Sequence, residues 1–253
     1  MTKWVWKGLQ TGIKTTAYPG SPETAAGVSP GRPGWKDPVE RKKIMSLMDL
    51  CPTGALRPTE ERISMDYRRC IHCFRCRRFP AEPLDWEPGY EWGEIVSNQG
   101  NLGKTFSNSL HIRIVDAGAC GACLSEIGHI TSPYYNIHRL GFFITPTPRT
   151  ADVLLVAGPG TDHMRLPLEK VFEAMPAPKR VVAVGTCALT GGIFGKSFAT
   201  RAGVGEIVPV DVEVPGCPPP PLAIIHALLV TAGRKKPPDA PSYPGTEREE
   251  GRS

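Results

Sequence analysis

No part of this 253-residue chain reads as a membrane span, because nothing approaches the ~18 consecutive apolar residues a span needs. The longest candidate, Leu222–Val230, is short and carries His226. The opening residues, Met1 to Leu9, interleave Lys, Trp and Val without the apolar core of a secretory signal, so a reducing compartment is expected. Net charge is only +5. Arg68, Arg69, Arg75, Arg77 and Arg78 do cluster, but around cysteines, where cations suit a negatively charged cofactor or are simply solvated. No nucleic-acid partner is expected.

With 40% hydrophobic and 22% charged residues, the composition is that of a soluble globular protein. Its 27 glycines and 27 prolines concentrate in residues 17–38, in 215–221 and toward the end, which makes those stretches loops. Eight cysteines stand out. In a reducing compartment, cysteines at motif spacing are metal ligands or catalytic groups before they are disulfides.

Texture divides the chain into three. Residues 1–105 are loop-rich and contain Cys51, Cys70, Cys73 and Cys76; residues 106–233 alternate apolar strands with helical stretches; residues 234–253 have the composition of a disordered tail. Strands are expected over Leu110–Asp116, Asp152–Ala157, Arg180–Gly185 and Glu206–Val214. Helices are expected near Cys123–Ile137, His163–Met175 and Pro218–Ala232. Such alternation predicts an α/β fold, a parallel sheet covered by helices on both faces. Ligands of such sheets bind beyond the carboxyl ends of the strands. Cys120 and Cys123 follow the first strand, Cys187 the third and Cys217 the fourth, so four thiols fall where a ligand belongs.

Thiolates are soft ligands that select iron–sulfur clusters, zinc or copper(I). For the quartet Cys120, Cys123, Cys187 and Cys217, spacing leaves both zinc and a cluster open. Gly118, Gly121, Gly185 and Gly216 tilt it toward a bulky 4Fe–4S cube, whose sulfides need close backbone approach. In the first region, Cys70-Ile71-His72-Cys73-Phe74-Arg75-Cys76 is the three-ligand run of a bacterial ferredoxin, and Cys51-Pro52 is the pair that closes such a run. Bacterial spacing puts a second cluster's ligands at 41, 44, 47 and 80, where Arg41, Ile44, Leu47 and Pro80 stand. One full set is gone and the other is complete, which reads as a ferredoxin-like module that kept one of two 4Fe–4S clusters. Zinc is the competing reading of the three-cysteine run taken alone.

The run from Cys120 to Val230 resembles the small cluster-bearing subunit shared by respiratory complex I and the energy-converting, membrane-bound [NiFe] hydrogenases, including the formate hydrogenlyase type. The resemblance is carried by Cys120-Gly-Ala-Cys123-Leu-Ser-Glu126, Pro146 to Asp152, Met175 to Lys179, Gly185-Thr-Cys187-Ala188 followed by Gly191-Gly192, and Ile207 to Asp211 running into Val214-Pro-Gly-Cys217-Pro-Pro219. Two residues separate Cys120 from Cys123, the hydrogenase arrangement, whereas complex I subunits of this kind usually have adjacent cysteines. The resemblance implies a flavodoxin-like sheet, two 4Fe–4S clusters in all, and electron relay inside an oxidoreductase complex. Partners would be a large catalytic subunit, membrane subunits of the same complex and a further iron–sulfur donor. The place would be peripheral, on the cytoplasmic face of the membrane. A complex I relative without nickel, coupling electron flow to quinone or ion pumping, is the alternative.

The resemblance also implies a part in proton movement for Glu126. An acid that complements the dipole at a helix start explains that residue as well. Arg149 faces the partner by resemblance, or is a solvated arginine; no role is assigned to His129. At 100° per residue, Val5, Trp6, Leu9 and Ile13 share a stripe beside Lys3, Lys7 and Lys14, fit for a membrane surface or for packing against this domain. The stretch from Trp6 to Lys14, with Tyr18-Pro19, resembles the entry segment of the ferredoxin-like subunit of the same complexes.

Overall fold

A computed structural model describes residues 2–35, 41–58, 63–78, 84–97, 99 and 102–238. In chain order the elements are α1 (Lys3–Thr11), β1 (Arg32–Trp35), α2 (Arg41–Asp49), β2 (Leu56–Pro58), β3 (Ile63–Met65), β4 (Leu84–Glu87) and β5 (Glu94–Ile95). Then follow β6 (Leu110–Asp116), α3 (Ala122–His129), β7 (Phe142–Ile144), β8 (Val153–Ala157), α4 (Asp162–Ala174), β9 (Arg180–Val184), α5 (Thr186–Thr190), β10 (Val212–Val214) and α6 (Pro221–Thr231).

The main sheet runs β5-β10-β9-β8-β6-β7, all parallel except β5, which pairs antiparallel with β10. Numbered from β6, the parallel strands lie in the order 2-1-3-4-5, the flavodoxin-like order, with its crevice where the winding reverses between β6 and β8. Side chains alternate along the strands: Val153, Leu155 and Ala157 of β8 enter one core, Leu154 and Val156 the other. Helix α4 covers the second core through Leu168, while α3 and α6 cover the first. Both faces are therefore buried, which is why β8 and β9 read as continuous apolar runs.

Every residue of α6 is buried. A helix apolar all round needs cover on all sides. The sheet supplies one side and the segment around Trp92 another: Gly93 lies against Ala227, and its amide donates to His226 Nδ1 at 3.2 Å. Burying Leu222, Ile224, Ile225, Leu228, Leu229 and Val230 contributes on the order of 10 kcal/mol against an extended chain, an upper bound.

Strand β6 has the expected bounds, and β8 and β9 agree to within a residue. Three differences have local causes. Helix α3 stops at His129 instead of near residue 137, because Ser132-Pro133 follows and a proline disfavours helix in the residue before it. The strand expected from Glu206 begins only at Val212; a 3-10 turn occupies Val204–Glu206, and Pro209 has no amide for a ladder. Edge strand β7, three residues long, gave no recognisable alternation.

The first 105 residues form small pieces: β1 pairs with β4 and β2 with β3, both antiparallel. They share a core with the sheet, since Tyr18, Leu47, Leu56, Tyr67 and Trp92 belong to the same apolar cluster as Ile112, Leu155 and α6. Strand β5 extends the sheet itself. Of the expected tail, Arg234 donates its amide to Leu229 O and Lys235 pairs with Glu91 at 2.8 Å; residues 239–253 lie outside the described residues. Among the described residues, no helix is long and apolar enough to cross a membrane.

Candidate metal centres

The carboxyl ends of β6, β9 and β10 bring Cys120, Cys123, Cys187 and Cys217 together. Beyond β6, Asp116 Oδ1 accepts from the amides of Gly118 at 2.9 Å and Ala119 at 2.7 Å, and this turn presents Cys120. Gly121, at φ +95°, starts α3, whose first turn buries Cys123. Beyond β9, Gly185 leads into the five-residue α5 with Cys187 in it, and beyond β10 the loop Pro215-Gly216-Cys217 returns toward α6. Cys120 is exposed, Cys187 and Cys217 are half-buried. Burial pushes the Cys123 thiol up to about 12, and the charges of Cys217, Cys187 and Cys120 add to the rise. Cys187 rises to about 11 by burial and then by Cys217 and Cys120.

Glycine is required at two places here. A Cβ on Gly185 (φ +89°) would stand 2.5 Å from Cys123 Sγ, and one on Gly192 (φ +60°) 2.7 Å from Cys187 Sγ. Both sulfurs occupy room that only a missing side chain leaves.

Cys51, Cys70, Cys73 and Cys76 line one apolar cavity with Leu47 and Trp86. Cys51 follows α2 with its amide on Met48 O, and its sulfur accepts from the Ala55 amide at 3.3 Å. Burial pushes Cys70 up to about 12, with Cys76, Cys51 and Cys73 adding to the rise. Leu47, where a second cluster's ligand would stand, is instead fully buried in the core. Between the cysteines the backbone is strained: His72 (φ +50°) and Phe74 (φ +57°) are left-handed without being glycine, at about 1–3 kcal/mol each. Their side chains hold that conformation. His72 Nε2 is hydrogen-bonded to Tyr67 Oη at 2.5 Å, and Phe74 packs on Trp86 with ring centroids 4.8 Å apart. Burial pushes His72 down to about 4, which keeps it neutral.

The two quartets adjoin. The Thr186 hydroxyl donates to Cys70 O at 2.8 Å, in a buried contact between the first cysteine run and the residue before Cys187. The Trp92 indole donates to Pro215 O at 3.0 Å and packs edge-on against Tyr67. These contacts were missed at the sequence level; the only available signal was the threonine inside Gly185-Thr186-Cys187.

Among the described residues, no three Cys, His, Asp or Glu side chains stand close enough to hold a metal ion as placed. Cys51, Cys70, Cys73 and Cys76 instead line one cavity. Both donor sets are all thiol; in the first a backbone amide already reaches the Cys51 sulfur, and in the second glycines clear the surroundings of the Cys123 and Cys187 sulfurs. Those features fit a 4Fe–4S cube in each.

A cleft of roughly 330 Å³ is lined by Val28, by His72 and Phe74 of the first cysteine run, and by Glu126, Tyr135 and Cys217. Burial raises the Glu126 carboxyl above the usual carboxylate range, and His129 opposes the rise. His129 and Arg149 are both exposed. Of the clustered arginines, Arg68 and Arg69 pair with Asp66 at 3.0 and 3.4 Å, and Arg77 lies over the Trp86 ring. Helix α1 buries none of its residues, so packing against the described residues does not account for its stripe.

Comparison with known proteins gives a consistent set of matches. The family model described as NADH ubiquinone oxidoreductase, 20 Kd subunit, matches residues 120–231. An uncharacterised protein of Methanocaldococcus jannaschii is 44% identical over 124 residues, which cover 49% of this chain and 83% of that one. A probable membrane-bound hydrogenase subunit of Pyrococcus furiosus is 42% identical over 116 residues, 46% of this chain and 70% of its own length. Formate hydrogenlyase subunit 7 of Escherichia coli is 37% identical over 139 residues, 55% of this chain and 54% of its own length. Among solved structures, a chain of the archaeal membrane-bound sulfane sulfur reductase aligns at TM-score 0.46 and 27% identity, covering 52% of this chain and 75% of that one.

Proposed function

Because the chain belongs to the family of the NADH ubiquinone oxidoreductase 20 Kd subunit, we propose that it is the electron-relaying subunit of a hydrogenase-type oxidoreductase complex. In this reading Cys51, Cys70, Cys73 and Cys76 hold one 4Fe–4S cluster, and Cys120, Cys123, Cys187 and Cys217 hold the other. Residues 1–105 act as a one-cluster ferredoxin-like module. Such clusters, when bound, supply one-electron transfer at potentials set by burial and hydrogen bonds to sulfur. The observation that carries the reading is that eight thiols stand as two sets of four at adjoining sites.

The chain's own part is to hold, bury and join. Gly185 and Gly192 leave room for the sulfurs, the Ala55 amide reaches Cys51, and Trp92 and Thr186 lock the two sites together. Exposed Cys120 marks the side on which a large catalytic subunit would close the second site, and Glu126 in the cleft is the residue through which a proton would pass there. The names of the relatives, a membrane-bound hydrogenase subunit and a formate hydrogenlyase subunit, support a multi-subunit setting. Exposed α1 supports a peripheral seat at a membrane.

Anaerobic purification followed by metal analysis tests this. The expected result is a brown protein with about eight iron and eight acid-labile sulfide per chain. Cys73→Ser and Cys187→Ser should each remove one of two low-temperature paramagnetic signals of the reduced protein. A colourless protein with about two zinc and no sulfide would overturn the proposal.

A further inference from the structure

Thr186 makes two contacts that no other residue of the site combines. Its hydroxyl donates to the carbonyl of Cys70, its amide donates to the carbonyl of Gly216 at 2.9 Å, and Cys187 is its covalent neighbour. It thus touches the backbone of one quartet's ligand and adjoins two ligands of the other, Cys187 and Cys217. The residue is 1% exposed. A threonine there needs a reason, since a buried hydroxyl costs free energy unless it is bonded.

The chemistry of the contact is specific. From Cys70 Sγ the bonds run through Cβ and Cα to the carbonyl oxygen. One hydrogen bond then leads into the Thr186 side chain, and its backbone continues by covalent bonds to Cys187 Sγ. Among the contacts between described residues this is the shortest link: the alternative through His72, Tyr67, Trp92 and Pro215 crosses two hydrogen bonds and a ring contact. Thr190 in α5 adds only a marginal contact, 3.5 Å from Arg68 O.

We infer that the Thr186 hydroxyl is the joint through which the two cysteine quartets communicate: it seats the Cys70 loop on the start of α5 and carries the shortest route for electrons between the sites. This rests on the two-cluster reading above. When both sites are loaded, one is oxidised by one electron as the other is reduced by one, with no bond made or broken and no proton displaced on Thr186. Thr186 is a positioning residue, since it acts through Cys70 and Cys187.

The full chain carrying Thr186→Val, Thr186→Ser or Thr190→Val provides the test, in two arms. In the unloaded chain, amide hydrogen exchange around Tyr67–Cys70 should be about fivefold faster in Thr186→Val, the factor that one ordinary hydrogen bond represents. Thr186→Ser, which keeps the hydroxyl, and Thr190→Val should both match the wild type. In the chain loaded with iron and sulfide and briefly photoreduced by a flavin with a sacrificial donor, the two paramagnetic signals should equilibrate rapidly in the wild type. Thr186→Val should lose that rapid phase at unchanged iron content and unchanged signal positions, and Thr186→Ser should retain it. Unchanged exchange in Thr186→Val overturns the joint. Changed exchange with unchanged equilibration overturns the electron route alone. Equal loss in the serine and valine variants overturns both. A wild-type chain that takes up no iron overturns the two-cluster reading and the electron route with it, while the exchange arm still decides whether the joint exists.

Discussion

Replacing Gly185 by alanine perturbs the second quartet at a single atom, and the size of the effect can be worked out. At φ +89° and ψ +153°, a region essentially reserved to glycine, an L side chain costs about 1–3 kcal/mol in backbone strain alone. The added methyl would lie 2.5 Å from Cys123 Sγ and 3.3 Å from Gly216 O. Neither can yield easily, because Cys123 is buried in the first turn of α3 and Gly216 is held by the Thr186 amide. Overpacking of this kind costs a further ~1–3 kcal/mol, for a total of about 2–6 kcal/mol. Gly103→Ala is the matched control: at φ +77° and ψ −174° it lies in the same glycine-reserved region, but nothing lies within 4 Å of the new methyl, so only the strain of about 1–3 kcal/mol applies. Denaturant unfolding of the reduced, metal-free variants measures both. In anaerobically purified protein, Gly185→Ala should also carry about half the wild-type iron, since the quartet of Cys51, Cys70, Cys73 and Cys76 is untouched. If the two variants unfold within about 0.5 kcal/mol of each other, the sulfur is not confined by Gly185 and the argument from close approach fails.

Three more outcomes are expected. Trp4, Trp6, Leu9 and Ile13 are exposed beside Lys3, Lys7 and Lys14, so the chain should sediment with vesicles containing anionic lipid. Each lysine contributes about 1 kcal/mol at low salt, Leu9→Glu should abolish the binding, and wild-type protein left in the supernatant would refute it. Burial holds His226 down at about 4 from an ordinary value of 6.5, with Glu91 opposing and Lys235 reinforcing. Below 6.5 the unfolded chain takes up a proton that the folded chain refuses, so stability should fall by about 3 kcal/mol between pH 6.5 and 4. His226→Gln, which keeps an acceptor for the Gly93 amide, should flatten that part of the stability profile; an equally steep profile would refute the assignment. Trp92→Phe keeps the ring against Tyr67 but strands Pro215 O, and should cost about 1–3 kcal/mol in unfolding measurements.

The main sheet was legible because its strands are buried on both faces: Val153–Ala157 and Arg180–Val184 are short apolar runs bounded by turn residues, and parallel pairing follows from the helices between them. The second quartet was legible for a topological reason, since the ends of parallel strands converge wherever the strands do. The first quartet was legible from spacing and from Leu47, whose apolar side chain turns out to be core. Contacts between the two regions could not be read in advance. Thr186 and Cys70 are 116 residues apart, Trp92 and Pro215 are 123 apart, and one hydroxyl or one indole leaves no periodic trace. The texture of residues 1–105 pointed to a separate unit, whereas Trp92 and β5 build that stretch into the sheet's own core.

That shared core bears on why the first cysteine run can hold its shape. Two non-glycine residues in the left-handed region, one on each side of Cys73, would relax in an isolated loop, because nothing local offsets about 1–3 kcal/mol each. His72 is held by Tyr67, Tyr67 packs on Trp92, and Trp92 is hydrogen-bonded to the loop that carries Cys217. The strain in the Cys70–Cys76 run is thus balanced by contacts that end on the second quartet. Distance between the two sites is then a property of the folded whole, set by Thr186 and Trp92 and insensitive to the loops that join the regions along the chain. A one-cluster module tethered by a flexible linker would have its separation set by linker length and composition. Here the packing around Thr186 and Trp92 sets it instead.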